Sequence, residues 1–198
     1  VNTSDSVYSM NEHPFSIASC SKELPEIAMI IRELGDYTSQ LDSLTIGQQV
    51  YVDGPYGSMS LRDSEKTSGI TLIAGGAGIG PMLSLLRELA ANHNPRPIRL
   101  LYGNNDYDQM VLQEEIQLLQ KTMPDFKQQL VCEKPTDIAG VRQGVIVKDD
   151  ITATIDPELA NDWAVYLCGP QAMIASLKTS LRSLGIPGAN VHYEEISF

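Results

Sequence analysis

LIAGGAGIGPML, residues 72–83, joins an apolar run to an amphipathic one through four glycines in six residues: Gly75, Gly76, Gly78 and Gly80. The run that leads in, GITLIAGG (69–76), is short and apolar, as a buried strand is. The run that leads out, PMLSLLRELAANH (81–93), puts Met82, Leu83, Leu85, Leu86, Leu89 and Ala90 on one broad face at helical spacing. A glycine turn between a strand and a helix suits a phosphate. Glycine allows the tight turn and a close approach of main chain to the anion, while the helix start offers unpaired N–H groups and the positive end of the dipole. Pro81 stands where a third glycine is common; proline is favoured at the first helical position because its missing N–H would have no partner there. A plain structural turn is the competing reading, but it does not need four glycines. The expected phosphate contacts are Gly75, Gly76, Gly78, Ile79, Gly80 and Pro81.

Beyond this turn, strands are expected at IRLLYG (98–103), FKQQLVC (126–132), AVYLCG (164–169) and NVHYEEI (190–196). Helices are expected at QMVLQEEIQLLQKTM (109–123) and at PQAMIASLKTSLRSLG (170–185), the latter closed by Gly185. Strands alternating with helices imply a parallel sheet covered on both faces. A second glycine turn, Cys168-Gly169-Pro170, ends one strand and opens a helix. Two such turns at the carboxyl ends of neighbouring strands border one crevice, where ligands of open α/β sheets bind. Cys168 reads either as a small buried hydrophobe or as a residue lining that crevice.

Upstream the pattern differs. PFSIAS (14–19), EIAMIIREL (26–34) and QQVYVDGPYG (48–57) are short β-type runs between turn residues, and RDSEKTSG (62–69) is a charged, turn-prone linker. Two domains are expected, residues 1–63 and 67–198. The chain of 198 residues is long enough for both to share a substantial core. Its formal charge of −11 disfavours nucleic acid and anionic membrane surfaces as partners. Cys20, Cys132 and Cys168 have neither the number nor the spacing of a disulfide framework, a zinc site or an iron–sulfur cluster, so no metal is expected. No apolar run reaches the roughly 20 residues of a membrane helix.

HPFSIAS, VDGPYG, GGAGIGP and CGP, in that order and with a terminal aromatic residue, resemble the ferredoxin–NADP⁺ reductase superfamily. Within it the His before Pro-Phe and the IIRELGDYT block look most like the dehydrogenase domains of ferric reductases and NADPH oxidases. The resemblance implies an antiparallel FAD-binding β-barrel followed by an α/β nucleotide-binding domain. It places His13, Pro14, Phe15 and Ser16 along the flavin, with Ser16 near its reactive edge. It places Ile31, Arg32, Gly35 and Thr38 at the flavin phosphates, Asn104, Cys168, Gly169 and Pro170 at the nicotinamide nucleotide, and Phe198 stacked over the flavin. Ser16, Cys168 and Phe198 are the expected catalytic residues. Taken singly, Arg32 also reads as a surface arginine, Phe15 as a core residue and His13 as structural.

Asn104, Asn105, Asp106 and Asp108 follow the second strand of the nucleotide domain; acidic residues there favour a free ribose hydroxyl over a 2′-phosphate, hence NADH over NADPH. Lys134 and Arg142 are the cations able to oppose that preference. Glu195 lies three residues before the end, one further than is usual for the acid of such proteins. Only 12 residues precede His13, so the barrel is expected to be incomplete and Val1 to be a cut. The expected activity is hydride transfer from NAD(P)H to FAD, with electrons passed on to haem, ferric iron or a partner protein. A membrane-embedded region upstream and a place at the cytoplasmic face of an inner membrane go with the ferric-reductase reading. A soluble flavin reductase or oxygenase reductase component is the alternative, and a nucleotide-binding regulatory domain the non-enzymatic one.

Overall fold

A computed structural model describes residues 1–3 and 12–196. Six parallel strands form one sheet: β1 (Gly69–Gly75), β2 (Ile98–Asn104), β3 (Phe126–Cys132), β4 (Val141–Gln143), β5 (Trp163–Pro170) and β6 (Val191–Ile196), in the order β4-β3-β2-β1-β5-β6. β1 is wholly buried, because it lies in the middle of the order with layers on both faces. Its side chains alternate between two cores, as the two-residue period of a strand requires. Ile70, Leu72 and Ala74 face a cluster with Met82, Leu86 and Ile116; Ile73 faces one with Trp163, Ile174 and Leu181.

Among the described residues there are five α-helices, α1 (Asp36–Gln40) in the N-terminal lobe, and α2 (Ile79–Ala91), α3 (Gln113–Thr122), α4 (Lys148–Thr152) and α5 (Gln171–Ser183) with the sheet. α2 and α3 cover the first core and α4 and α5 the second. The apolar face expected for α2 is buried at Met82, Leu83, Leu85, Leu86 and Leu89. Gly185, at φ +81°, follows α5 in the left-handed conformation expected of it. α3 begins four residues later than the sequence pattern suggests. Leu112 adopts φ +57°, which a right-handed helix excludes, so Val111 and Leu112 stay largely exposed outside it. β4 and α4 were not foreseen.

The partial barrel expected over residues 1–63 is not shown. Among the described residues this region holds no strand ladder, only two isolated antiparallel bridges, Asn2–Tyr51 and Ile17–Met29. Its chain is extended on either side of these bridges. Ile46, Val50, Val52 and Tyr56 are exposed, where a closed barrel would bury alternate residues. What holds this lobe is its contact with the sheet domain, where Ile30, Met59 and Leu61 pack against the first core.

Candidate functional site

The order of strands reverses between β1 and β5, and both glycine turns meet there. Gly76–Gly78 forms one 3₁₀ turn that runs into α2. A Cβ on Gly78 would stand 2.1 Å from the Cys168 carbonyl oxygen, so no larger residue fits where the first turn presses on β5. Gly169 is equally confined, against Met173 and the Gly75 main chain. Gly76 is different: it takes φ +55° and has open space where a Cβ would be. Its backbone conformation needs glycine, and its open side faces the crevice. Pro81 is the third helical residue rather than the first; its lack of an N–H costs nothing there, since the first four N–H groups of a helix have no helical acceptor.

A cleft of about 320 Å³ opens beside this turn, lined by Gly76, Ala77, Ile79, Tyr102 and Asn104 from the sheet domain and by Ile31 and Arg32 from the N-terminal lobe. Residues expected at two different cofactors therefore share one cavity. Arg32 makes no ion pair or hydrogen bond with the described residues, which leaves its guanidinium free for an anion. Asn104 spends its side chain on the loop: Nδ2 donates to the Gln109 carbonyl (3.0 Å) and Oδ1 accepts from the Asn105 N–H (2.8 Å). A larger groove of about 540 Å³ lies over the opening residues of β2, β3 and β5. It is at the wrong end of the strands for the ligand of an open α/β sheet.

In the N-terminal lobe, His13 stacks on Tyr37 with ring centroids 3.5 Å apart, and Phe15 lies 6.2 Å from the same ring. The His13 backbone pairs with Val1 in both directions. Pro14 is exposed, and Phe15 and Ser16 are half-buried. Thr38 is a turn-former: its hydroxyl accepts from the N–H groups of Leu34 (2.9 Å) and Gly35 (3.0 Å), which shapes the entry to α1. Tyr37 belongs to this aromatic cluster; it lies in the IIRELGDYT block, but nothing in the sequence shows that its ring meets His13.

Cys168 is fully buried in the first core, and desolvation, with the Glu194 carboxylate adding to it, pushes its thiol from the ordinary 9.0 up to about 12. At neutral pH it is a thiol, not a thiolate. Glu194, rather than Glu195, is the acid in register with Cys168, and its Oε1 lies 3.0 Å from where a Gly57 Cβ would be. Alternation along β6 makes this choice, and it is visible only once the register is known. Phe198 lies outside the described residues.

Beyond the carboxyl ends of β2 and β3, Lys134 Nζ donates to Asp106 Oδ2 (2.8 Å), which holds that carboxyl below its usual range and raises the ammonium. Arg142 donates to both oxygens of the buried Asp150 and to the carbonyls of Gln143 and Val145. Among the described residues no helix is long and apolar enough to cross a membrane, and no group of three His, Cys, Asp or Glu side chains is placed to hold a metal.

Residues 72–179 match the oxidoreductase NAD-binding domain family, and residues 1–60 match an FAD-binding domain family. The toluate 1,2-dioxygenase electron transfer component of Pseudomonas putida is 31% identical over 189 residues, covering 92% of this chain and 53% of that protein. The propane 2-monooxygenase reductase component of Mycolicibacterium smegmatis is 30% identical over 196 residues, covering 94% and 55%. The chain thus spans about half the length of these curated relatives. The CS-b5R domains of human Ncb5or, in their NAD⁺ form, superpose with a TM-score of 0.79 at 23% identity, over 91% of this chain and 55% of that one.

Proposed function

The chain belongs to the oxidoreductase NAD-binding domain family, within the ferredoxin–NADP⁺ reductase-like superfamily, and from that premise we propose that it is an NADH-dependent flavin oxidoreductase module that passes electrons to a partner. The observation that carries this is the shared cleft, where the open face of Gly76 and the free guanidinium of Arg32 line one cavity. FAD held there would supply a two-electron acceptor for the nicotinamide hydride and a one-electron donor to the partner. The residues do the rest. Gly76–Gly78 and the start of α2 hold a pyrophosphate by main-chain N–H groups and dipole. Arg32 neutralises a flavin phosphate, with Ile31, Gly35 and Thr38 shaping the main chain around it. His13, Pro14 and Phe15, backed by Tyr37, form an apolar ledge for the flavin ring system, and Ser16 offers it a hydroxyl. Gly169 and Pro170 bring β5 against the cradle, and Cys168 packs behind it in the core as a neutral thiol.

NADH is the proposed donor because the two cations that could oppose it are engaged: Lys134 is held by Asp106 and Arg142 by Asp150. The electron acceptor is proposed to be a separate protein of the oxygenase kind, which the relatives support. The His-Pro-Phe run supports a second reading, a haem- or ferric-iron-reducing module joined to a membrane region. Phe198 over the flavin belongs to the same proposal. The test is anaerobic reconstitution with FAD followed by NADH. Flavin absorbance near 450 nm is expected to bleach within seconds; a chain that binds FAD and stays yellow in excess NADH and NADPH would end the proposal.

A further inference from the structure

Three α2 side chains fasten the sheet domain to the segment that directly continues the His-Pro-Phe-Ser run. Ser84 Oγ donates to the Ser19 carbonyl (2.8 Å), and Glu88 Oε2 accepts from the Ser21 hydroxyl (2.7 Å). Between them Arg87 Nη1 donates to the Ala18 carbonyl (2.9 Å), while Nε and Nη2 grip Glu115 of α3 at 2.7 and 2.8 Å. The guanidinium is mostly buried, with its side chain 18% exposed, and its planar fork is used on two directions at once. The segment it holds is buried too, at Ala18, Ser19 and Cys20. α2 begins at the glycine cradle, and Ala18 lies two residues beyond Ser16, so one side chain ties the two ligand-bearing stretches together.

We propose that Arg87 is a positioning residue for hydride transfer, setting the separation between a flavin carried by residues 13–16 and a nicotinamide nucleotide carried by the 76–81 cradle. This rests on the flavin oxidoreductase reading above. In the step concerned, a hydride (one proton and two electrons) leaves the reduced nicotinamide and enters the flavin, oxidising the first and reducing the second. Such a step falls off steeply when the reacting atoms are displaced, by about a hundredfold for an ångström-scale error. Neither the cradle nor the His-Pro-Phe-Ser run contains Arg87, so its loss should leave each ligand's own contacts in place.

The test compares the wild-type chain with Arg87→Met and Arg87→Lys, each loaded with FAD. Arg87→Met is expected to slow anaerobic flavin reduction by NADH about tenfold, with affinity for ADP-ribose changed less than twofold. Arg87→Lys, which keeps one donor toward Ala18 or Glu115, should recover part of the rate. Independently of flavin, spin labels at Gln40 and Gln120 should give one narrow distance distribution in the wild type and a broad one in Arg87→Met. The native cysteines are all buried, so cysteines introduced at those two positions can be labelled selectively. An unchanged rate, a rate loss matched by equal weakening of ADP-ribose, or an unchanged distance distribution would overturn the proposal. Failure of the wild type to take FAD would instead sink the oxidoreductase reading, and the label distances would still decide whether Arg87 sets the separation.

Discussion

Gly76 and Gly78 sit two positions apart in one loop and are glycine for different reasons. At Gly78 an added methyl meets the backbone of Cys168, which cannot move aside without shifting β5. Gly78→Ala should therefore cost about 1–3 kcal/mol of folding stability, read from urea melts. Gly76→Ala has space but not the φ angle, so about 1–2 kcal/mol is expected there, with weakened ADP-ribose binding. Both positions were legible as a glycine pattern, whereas the distinction between them needs the register of β1 on β5. Cys168 carries a pH consequence. Its folded pKa is about 12 against an ordinary 9.0, so the folded state keeps a proton that the unfolded state loses. Its contribution is intact below pH 9 and is lost as pH rises from there toward 12. Cys168→Ala should flatten that alkaline decline in urea midpoints, and a decline as steep as the wild type would assign it to other groups. Asp106 gives a fourth residue-level test. Asp106→Asn releases Lys134, and the ratio of kcat/KM for NADPH over NADH should rise roughly fivefold, the scale of one exposed ion pair.

Elements that announce themselves by period were readable, and those held by a single polar hub were not. The three long strands at the centre of the sheet, β1, β2 and β5, and the helix α2 show apolar runs or faces long enough to count. β4 has three residues and α4 has five, too few for either period to show. They are organised by Asp150, buried at 5% exposure, which accepts from Gln129, from Arg142 and from the Val147 N–H at the start of α4. Asp150→Ala leaves a guanidinium and an amide without their acceptor and should cost about 2–4 kcal/mol in a urea melt. A loss below about 0.5 kcal/mol would show that packing alone holds this corner. The N-terminal lobe failed to match for a different reason. Its β-type runs do form extended chain, but a ladder also needs a partner held in register, and a sequence pattern does not report that pairing.

At the scale of the molecule, the sheet carries two cores, one on each face, and the N-terminal lobe is fixed to it through α2 and the Ile30, Met59 and Leu61 contacts. The cleft exists only because the lobe is there: Ile31 and Arg32 make one wall and the glycine turn the other. The candidate site was therefore half legible. The glycine cradle follows from the residues in order, but the meeting of Arg32 with Gly76 across more than forty residues is a property of the packing. This juxtaposition is the central claim, and titration of ADP-ribose into the isotopically labelled chain, followed by backbone amide shifts, tests it most directly. The account predicts saturable shifts concentrated at Gly75–Pro81, Asn104 and Gly169, with the Arg32 segment included. Shifts confined to the groove over Arg99, Lys127 and Trp163, or no saturable shift at all, would contradict it.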